Sequence, residues 1–134
     1  MANAISTQII LDGTRNAVIK FEGVLDTADL TSTVVADPAT MQGMDFIGTL
    51  KAAKFRVIRI HHNIEDGLSV NLFWDANTPV RIEELTGRGS PDYHKFGGLP
   101  SNATDVPTGK ITATTEGWSG IKSFSVILEL VKTL

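Results

Sequence analysis

The stretch from Gly109 to Leu134, GKITATTEGWSGIKSFSVILELVKTL, decides the fold class. It contains two alternating segments, Lys110 to Thr115 and Ile121 to Val131, around the turn Gly117-Trp118-Ser119-Gly120. In the second segment Phe124, Val126, Leu128 and Leu130 recur at every second position, the period of a strand with one buried face. The apolar run closes at Lys132. Two such segments around a Gly-rich turn predict an antiparallel hairpin in an all-β chain.

The same pattern extends upstream. Thr7 to Leu11 is a candidate strand that ends at Asp12-Gly13, a favoured hairpin turn. Asn16 to Leu25 follows, with Val18, Lys20 and Glu22 on one face and Ala17, Ile19, Phe21 and Gly23 on the other. Thr31 to Ala36 stops at Asp37-Pro38, because proline cannot continue a ladder. Phe55 to His62 changes phase between Val57 and Ile58, which predicts either a β-bulge there or a strand buried on both sides. Leu68 to Asp75 reads as its hairpin partner across the Glu65-Asp66-Gly67 turn, with Leu68, Val70, Leu72 and Trp74 on one face. Pro79 to Leu85 and a short piece around Asp92 to Phe96 complete the set. Ala39 to Lys54 has Met44, Ile47 and Leu50 at helical spacing, interrupted by Gly43 and Gly48, so a short helix and an irregular excursion both fit.

Fifteen Thr, ten Val and twelve Ile among 134 residues favour pleated surfaces, and twelve Gly with five Pro supply frequent turns. The expected fold is therefore a single antiparallel β-sandwich domain over residues 1–134, of jelly-roll type, with about eight strands. A chain of this length buries enough surface for a core without staples. It has no cysteine, so it carries no disulfide, thiolate nucleophile or Cys-based zinc site. Twelve basic against fifteen acidic residues, net charge −3, argue against a nucleic-acid partner, whose phosphates call for a basic excess. No apolar run approaches the roughly 20 residues that span a bilayer, and Met1 to Asp12 lacks a signal-peptide pattern, so no membrane role is expected.

Residues able to do chemistry do not form a motif. His61 and His62 are adjacent on a strand and point to opposite faces, which disfavours chelation of one metal, with or without His94, Glu65 or Asp66. Glu83 and Glu84 likewise point apart. Gly117-Trp118-Ser119-Gly120 has the wrong spacing for a nucleophile elbow, and Gly87-Arg88-Gly89 lacks the strand-to-helix setting of a phosphate loop. No enzyme activity, metal or cofactor is expected. Trp74, Tyr93, Phe96 and Trp118 could offer faces to a sugar, although Trp74 runs in phase with Val70 and Leu72 and is expected in the core. Gly87 to Thr108 is the loop-rich section.

Four ordered segments carry a resemblance. They are Met1 to Gln8 with Asp12 to Asn16 and Val18 to Asp26; Val34 to Pro38; Leu68 to Asp75 with Gly87 to Gly89 and Phe96 to Leu99; and Thr108 to Gly117 with Ser125 to Lys132. Together they resemble small virion structural proteins of tailed bacteriophages, over nearly the whole chain except Thr40 to Lys54. The resemblance implies a non-enzymatic protein of the virion, assembled in the host cytoplasm. The role it favours is a capsid decoration or cement protein that binds the major capsid protein or other virion proteins as a homo-oligomer, a trimer or pentamer. It leaves head or tail position open. The alternative is a carbohydrate- or receptor-binding module on the virion surface or tail. Under the first reading the assembly contacts are expected at Arg88, Tyr93, His94 and Phe96.

Overall fold

The computed structural model describes residues 3–13, 15–38 and 54–133. Among the described residues nine strands make two antiparallel sheets: β1 (Ala4–Asp12), β2 (Asn16–Leu25), β3 (Thr33–Ala36), β4 (Lys54–Ile64), β5 (Ser69–Trp74), β6 (Val80–Thr86), β7 (Arg88–Gly89), β8 (Ile111–Glu116) and β9 (Lys122–Thr133). One sheet has the order β1-β2-β9-β4-β7, and the other β3-β8-β5-β6. Setting β1 aside, the remaining eight strands follow the order of a jelly roll, two Greek keys wound into one sandwich. The helix-or-excursion alternative for Ala39 to Lys54 falls, but for Lys54, outside the described residues.

The expected alternation produces the core. Ala17, Ile19 and Phe21 from β2 and Phe124, Val126, Leu128 and Leu130 from β9 meet Val70, Leu72 and Trp74 from β5 and Ile111 and Ala113 from β8 in one buried cluster. Phe21 and Phe124 stack at a tilt with centroids 5.4 Å apart. Of the two alternatives for β4, the bulge is the one present. Val57 pairs with Leu130 and Arg59 with Glu129, leaving Ile58 as the extra residue. Below it Phe55 and Val57 face the core; above it Ile60 and Ile64 do. One inserted residue thus restores the buried face on a strand whose sequence phase breaks.

Three expectations are corrected. β4 and β5 do not form a hairpin, nor do β8 and β9; each pair is divided between the two sheets. Their Gly-rich turns are corners that carry the chain across the sandwich. Residues 65–68 form one corner, closed by Leu68 N–H donating to Glu65 O at 3.1 Å. The corner after β8 lies beside it, where Lys122 Nζ donates to Asp66 O at 2.8 Å and Ser123 N–H to Glu65 Oε2 at 2.9 Å. Local periodicity reports which face is buried, and it is silent on which sheet the next strand joins. The third correction concerns Asp92 to Phe96. Asp92 makes only an isolated bridge to Arg59, His94–Phe96 is a 3-10 turn, and the edge strand lies earlier, at Arg88–Gly89.

Asn71 is an exception to the apolar pairing logic. It sits on β5 between Glu84 of β6 and Thr114 of β8, is 1% exposed, and neither its amide nitrogen nor its amide oxygen has a hydrogen-bond partner among the described residues. A buried polar group without a partner costs free energy. Replacement by valine, similar in size and suited to a central strand, is expected to raise stability by about 1 kcal/mol or more. A urea unfolding midpoint at or below that of the native chain would count against this.

Candidate functional site

The section from Gly87 to Pro107 is held against the side of β4 that β9 leaves open. β7 pairs with His62 and Asn63. Beyond it the loop continues the backbone pairing: Ile60 N–H donates to Pro91 O at 3.0 Å, Tyr93 N–H to Ile58 O at 2.7 Å, and Val57 and Leu99 exchange bonds of 3.0 and 2.8 Å. The bulge at Ile58 turns its carbonyl toward Tyr93 and so supplies one anchor. Arg56 supplies another, donating from Nε to Gly97 O at 2.9 Å and from Nη2 to Gly98 O at 3.2 Å. Gly98 is required there, because its φ is +94° and a Cβ would press on the Val57 carbonyl at 3.0 Å.

The four residues expected as contacts have different roles in this frame. Tyr93 is partly buried and packs on the core, and its hydroxyl donates to Glu83 Oε2 on β6 at 2.8 Å. Burial first, and then the Glu83 carboxylate, push its phenol well above the ordinary tyrosine range. It is a strut between the loop and the second sheet rather than a free contact. Phe96 packs its ring 6.1 Å from that of Tyr93 and is 62% exposed. His94 is exposed at the start of the 3-10 turn, with Lys95 beside it. Arg88 is exposed on β7 and lines a small cavity of about 210 Å³ with His61, His62, Ser90 and Ile127. Tyr93, His94 and Phe96 therefore share one turn, and Arg88 belongs to the neighbouring cavity.

The histidines point apart, as their adjacency requires. His62 Nδ1 is hydrogen-bonded to Gly87 O at 3.1 Å. His61 lies on the outer face within a chain of polar groups that sequence reasoning did not assemble. Its Nδ1 is 3.1 Å from Ser90 Oγ and its Nε2 is 2.5 Å from Glu129 Oε2. Glu129 in turn lies 3.8 Å from Arg59 Nη1, and Arg59 Nη2 pairs with Asp92 at 2.8 Å. The only signal for it was the pairing register that sets Arg59 opposite Glu129 and His61 one row away. A serine, an imidazole and a carboxylate in line are the parts of an acyl-transfer relay. Here the His61 and Glu129 side chains are each more than a third exposed or close to it, at 39% and 34%, so water is not excluded from the row. The row ties β4, β9 and the Ser90 turn together. Among the described residues no cluster of three or more His, Asp or Glu side chains is arranged to hold a metal ion.

Asp92 is the hinge of the row. The His94 backbone N–H, at 2.8 Å, is the largest influence holding its carboxyl below the ordinary range, and Arg59 adds to it. A depressed carboxyl stabilises the folded loop above its unfolded-state value, and that contribution is lost as pH falls through the folded value. Acidification is therefore expected to release the 3-10 turn before the sandwich unfolds. Amide NMR shifts of Tyr93 and Phe96 should move in the acid range while those of β9 stay fixed, and Asp92→Asn should show the acid spectrum at neutral pH. Coincident movement of both sets would overturn this.

A second concavity, of about 630 Å³, lies on the outer face of the five-stranded sheet beside the first, with which it shares Asn63 and Ser125. Ser6, Glu22, Asn63, Glu65, Ser123 and Ser125 line it. The aromatic platform considered for sugar binding is not formed as a set. Trp74 is core, and the Trp118 indole N–H donates to Leu25 O at 3.0 Å while its ring packs on the core.

Fold and site together define a jelly-roll sandwich that presents an anchored loop with an exposed aromatic tip. The chain matches no protein-family model and no curated protein sequence.

Proposed function

We propose that this protein is a non-enzymatic structural subunit of a tailed-phage particle, a decoration protein that adheres to the capsid shell through the Gly87 to Pro107 section. The observation that carries the reading is the anchored loop. Phe96 stands exposed on a turn fixed by Arg56, Tyr93 and Asp92, so an apolar contact can be made without first ordering the segment. Arg88, His94 and Lys95 flank it with basic and polar groups suited to the rim of an interface. Virion partners are expected to contact this face, with the major capsid protein foremost among them.

Immunogold labelling of purified particles tests the assignment. Gold spread over the head supports it, and gold at the tail or its absence opposes it. The residue-level expectation is that Phe96→Ala with Arg88→Ala lowers incorporation into particles at least tenfold with no loss of stability. Tyr93→Phe, which removes only the bond to Glu83, should reduce it less. Undiminished incorporation of the double variant would end this choice of surface.

A second reading has its own support. The groove lined by Ser6, Glu22, Asn63 and Ser125 is rich in hydroxyl, carboxylate and amide groups and has the volume of a small-ligand site. That chemistry suits a carbohydrate- or receptor-binding module on the virion surface or tail. Saturable glycan binding abolished by Glu22→Gln would favour it over adhesion to a capsid.

A further inference from the structure

The two sheets have four edges, formed by β1 and β7 in one and β3 and β6 in the other. Open edges invite pairing with other chains, and stable proteins blunt them with short strands, charges, prolines or covering loops. Three of these edges are blunted. β7 is two residues long and carries Arg88. β3 is four residues long and is followed by Asp37-Pro38. β6 carries Arg81, Glu83 and Glu84.

β1 departs from that pattern. It is nine residues long, about 30 Å, and from Ala4 to Leu11 it has no charge and no proline. Among the described residues no strand pairs with its outer side. The five-stranded sheet is one strand wider than its partner, and most of β1 is exposed on both faces. Ile9 and Ile10 are 51% exposed and Leu11 47%. The one blunting device is a bulge at Ile10, which leaves Ala4 to Ile9 as a regular run paired to β2.

We infer that the β1 edge is a self-association surface, which joins two copies of this chain through antiparallel β1–β1 pairing about a two-fold axis. The occupant follows from charge and symmetry. An uncharged run can meet itself without opposing like charges, and antiparallel pairing about its own middle satisfies the two-fold. Opposed residues of an antiparallel pair share a face and the two-fold keeps faces, so one residue must oppose itself: Ser6 of each copy faces Ser6 of the other, Ile5 faces Thr7, and Ala4 faces Gln8. Lys20 and Glu22, in the next strand and 3.4 Å apart, place balanced charge beside the seam. The product is a continuous sheet of two five-stranded halves.

Light scattering coupled to size exclusion, over a broad concentration range, tests this on the whole chain. The expected mass is twice 14.4 kDa. Ser6→Lys with Thr7→Lys sets four lysines at the seam, both positions being exposed, and should give a folded monomer. Should that variant fail to fold, Ser6→Cys provides a separate check. The chain has no other cysteine, so mild oxidation should cross-link it to a dimer in high yield. A monomeric native chain, a trimer or pentamer, a lysine variant that keeps the dimer mass, or a Ser6→Cys variant that stays uncross-linked would each overturn the inference.

Discussion

Replacing Gly117 with alanine is expected to destabilise the fold by about 3 kcal/mol or more, lowering the melting temperature by about 10 °C. Two independent costs combine. The φ of Gly117 is +90°, a region that an L side chain enters only with strain. A Cβ there would also collide with the carbonyl oxygen of Gly67 in the adjacent corner. That carbonyl has little room to retreat. Its turn is closed by the Leu68-to-Glu65 bond and tied to β9 through Lys122 and Ser123. Gly87 provides the control, since its φ is +61° and nothing lies within 4 Å of its would-be Cβ. Gly87→Ala should cost only the left-handed penalty of about 1 kcal/mol. Chemical denaturation of the two variants decides the matter, and equal losses would show that the contact between the corners is not what constrains Gly117.

The second large effect is expected at Asp12. Lys132 continues the core phase of Phe124, Val126, Leu128 and Leu130, yet it is an ammonium only 1% exposed. Its Nζ donates to Asp12 Oδ1 and to the Gly13 carbonyl at the end of the β1–β2 hairpin. Removing one partner of a buried ion pair leaves the other charge less well compensated in a poorly solvating place. Asp12→Ala is expected to cost about 3 kcal/mol by thermal or urea unfolding. Lys132→Met should cost markedly less, because the Asp12 side chain is 30% exposed and can recover hydration. Equal losses from the two substitutions would indicate that packing of the lysine stem, not its charge, is what matters.

Much of the architecture was legible because one-sided burial prints a period of two on the sequence. The faces of β2 and β9, the bulge after Val57 and the burial of Trp74 all follow from that rule. Sheet membership was not legible. Nothing in GWSG or EDG distinguishes a turn that closes a hairpin from a corner that crosses the sandwich, since both need glycine. Arg88, Tyr93, His94 and Phe96 stand in a loop-rich section by sequence, and in the fold three of them share one turn. The buried anchoring of Tyr93 by Glu83, and the row from Ser90 through His61 and Glu129 to Asp92, depend on strands remote in sequence. Composition and local spacing carry no record of such meetings.

The position of β9 bears on the order in which the chain can fold as it is made. β9 sits between β2 and β4, pairing Asn16 with Val131 and Lys54 with Thr133. The wide sheet cannot close until residues 122–133 have left the ribosome. Before then the β1–β2 hairpin must hold Ala17, Ile19 and Phe21 open to solvent. Long-range closure of this kind makes folding slow and leaves half-made chains prone to sticking to one another. Synthesis in bulk would then favour conditions that keep nascent chains apart, and the yield of folded protein should improve when translation is slowed or a holding chaperone is supplied.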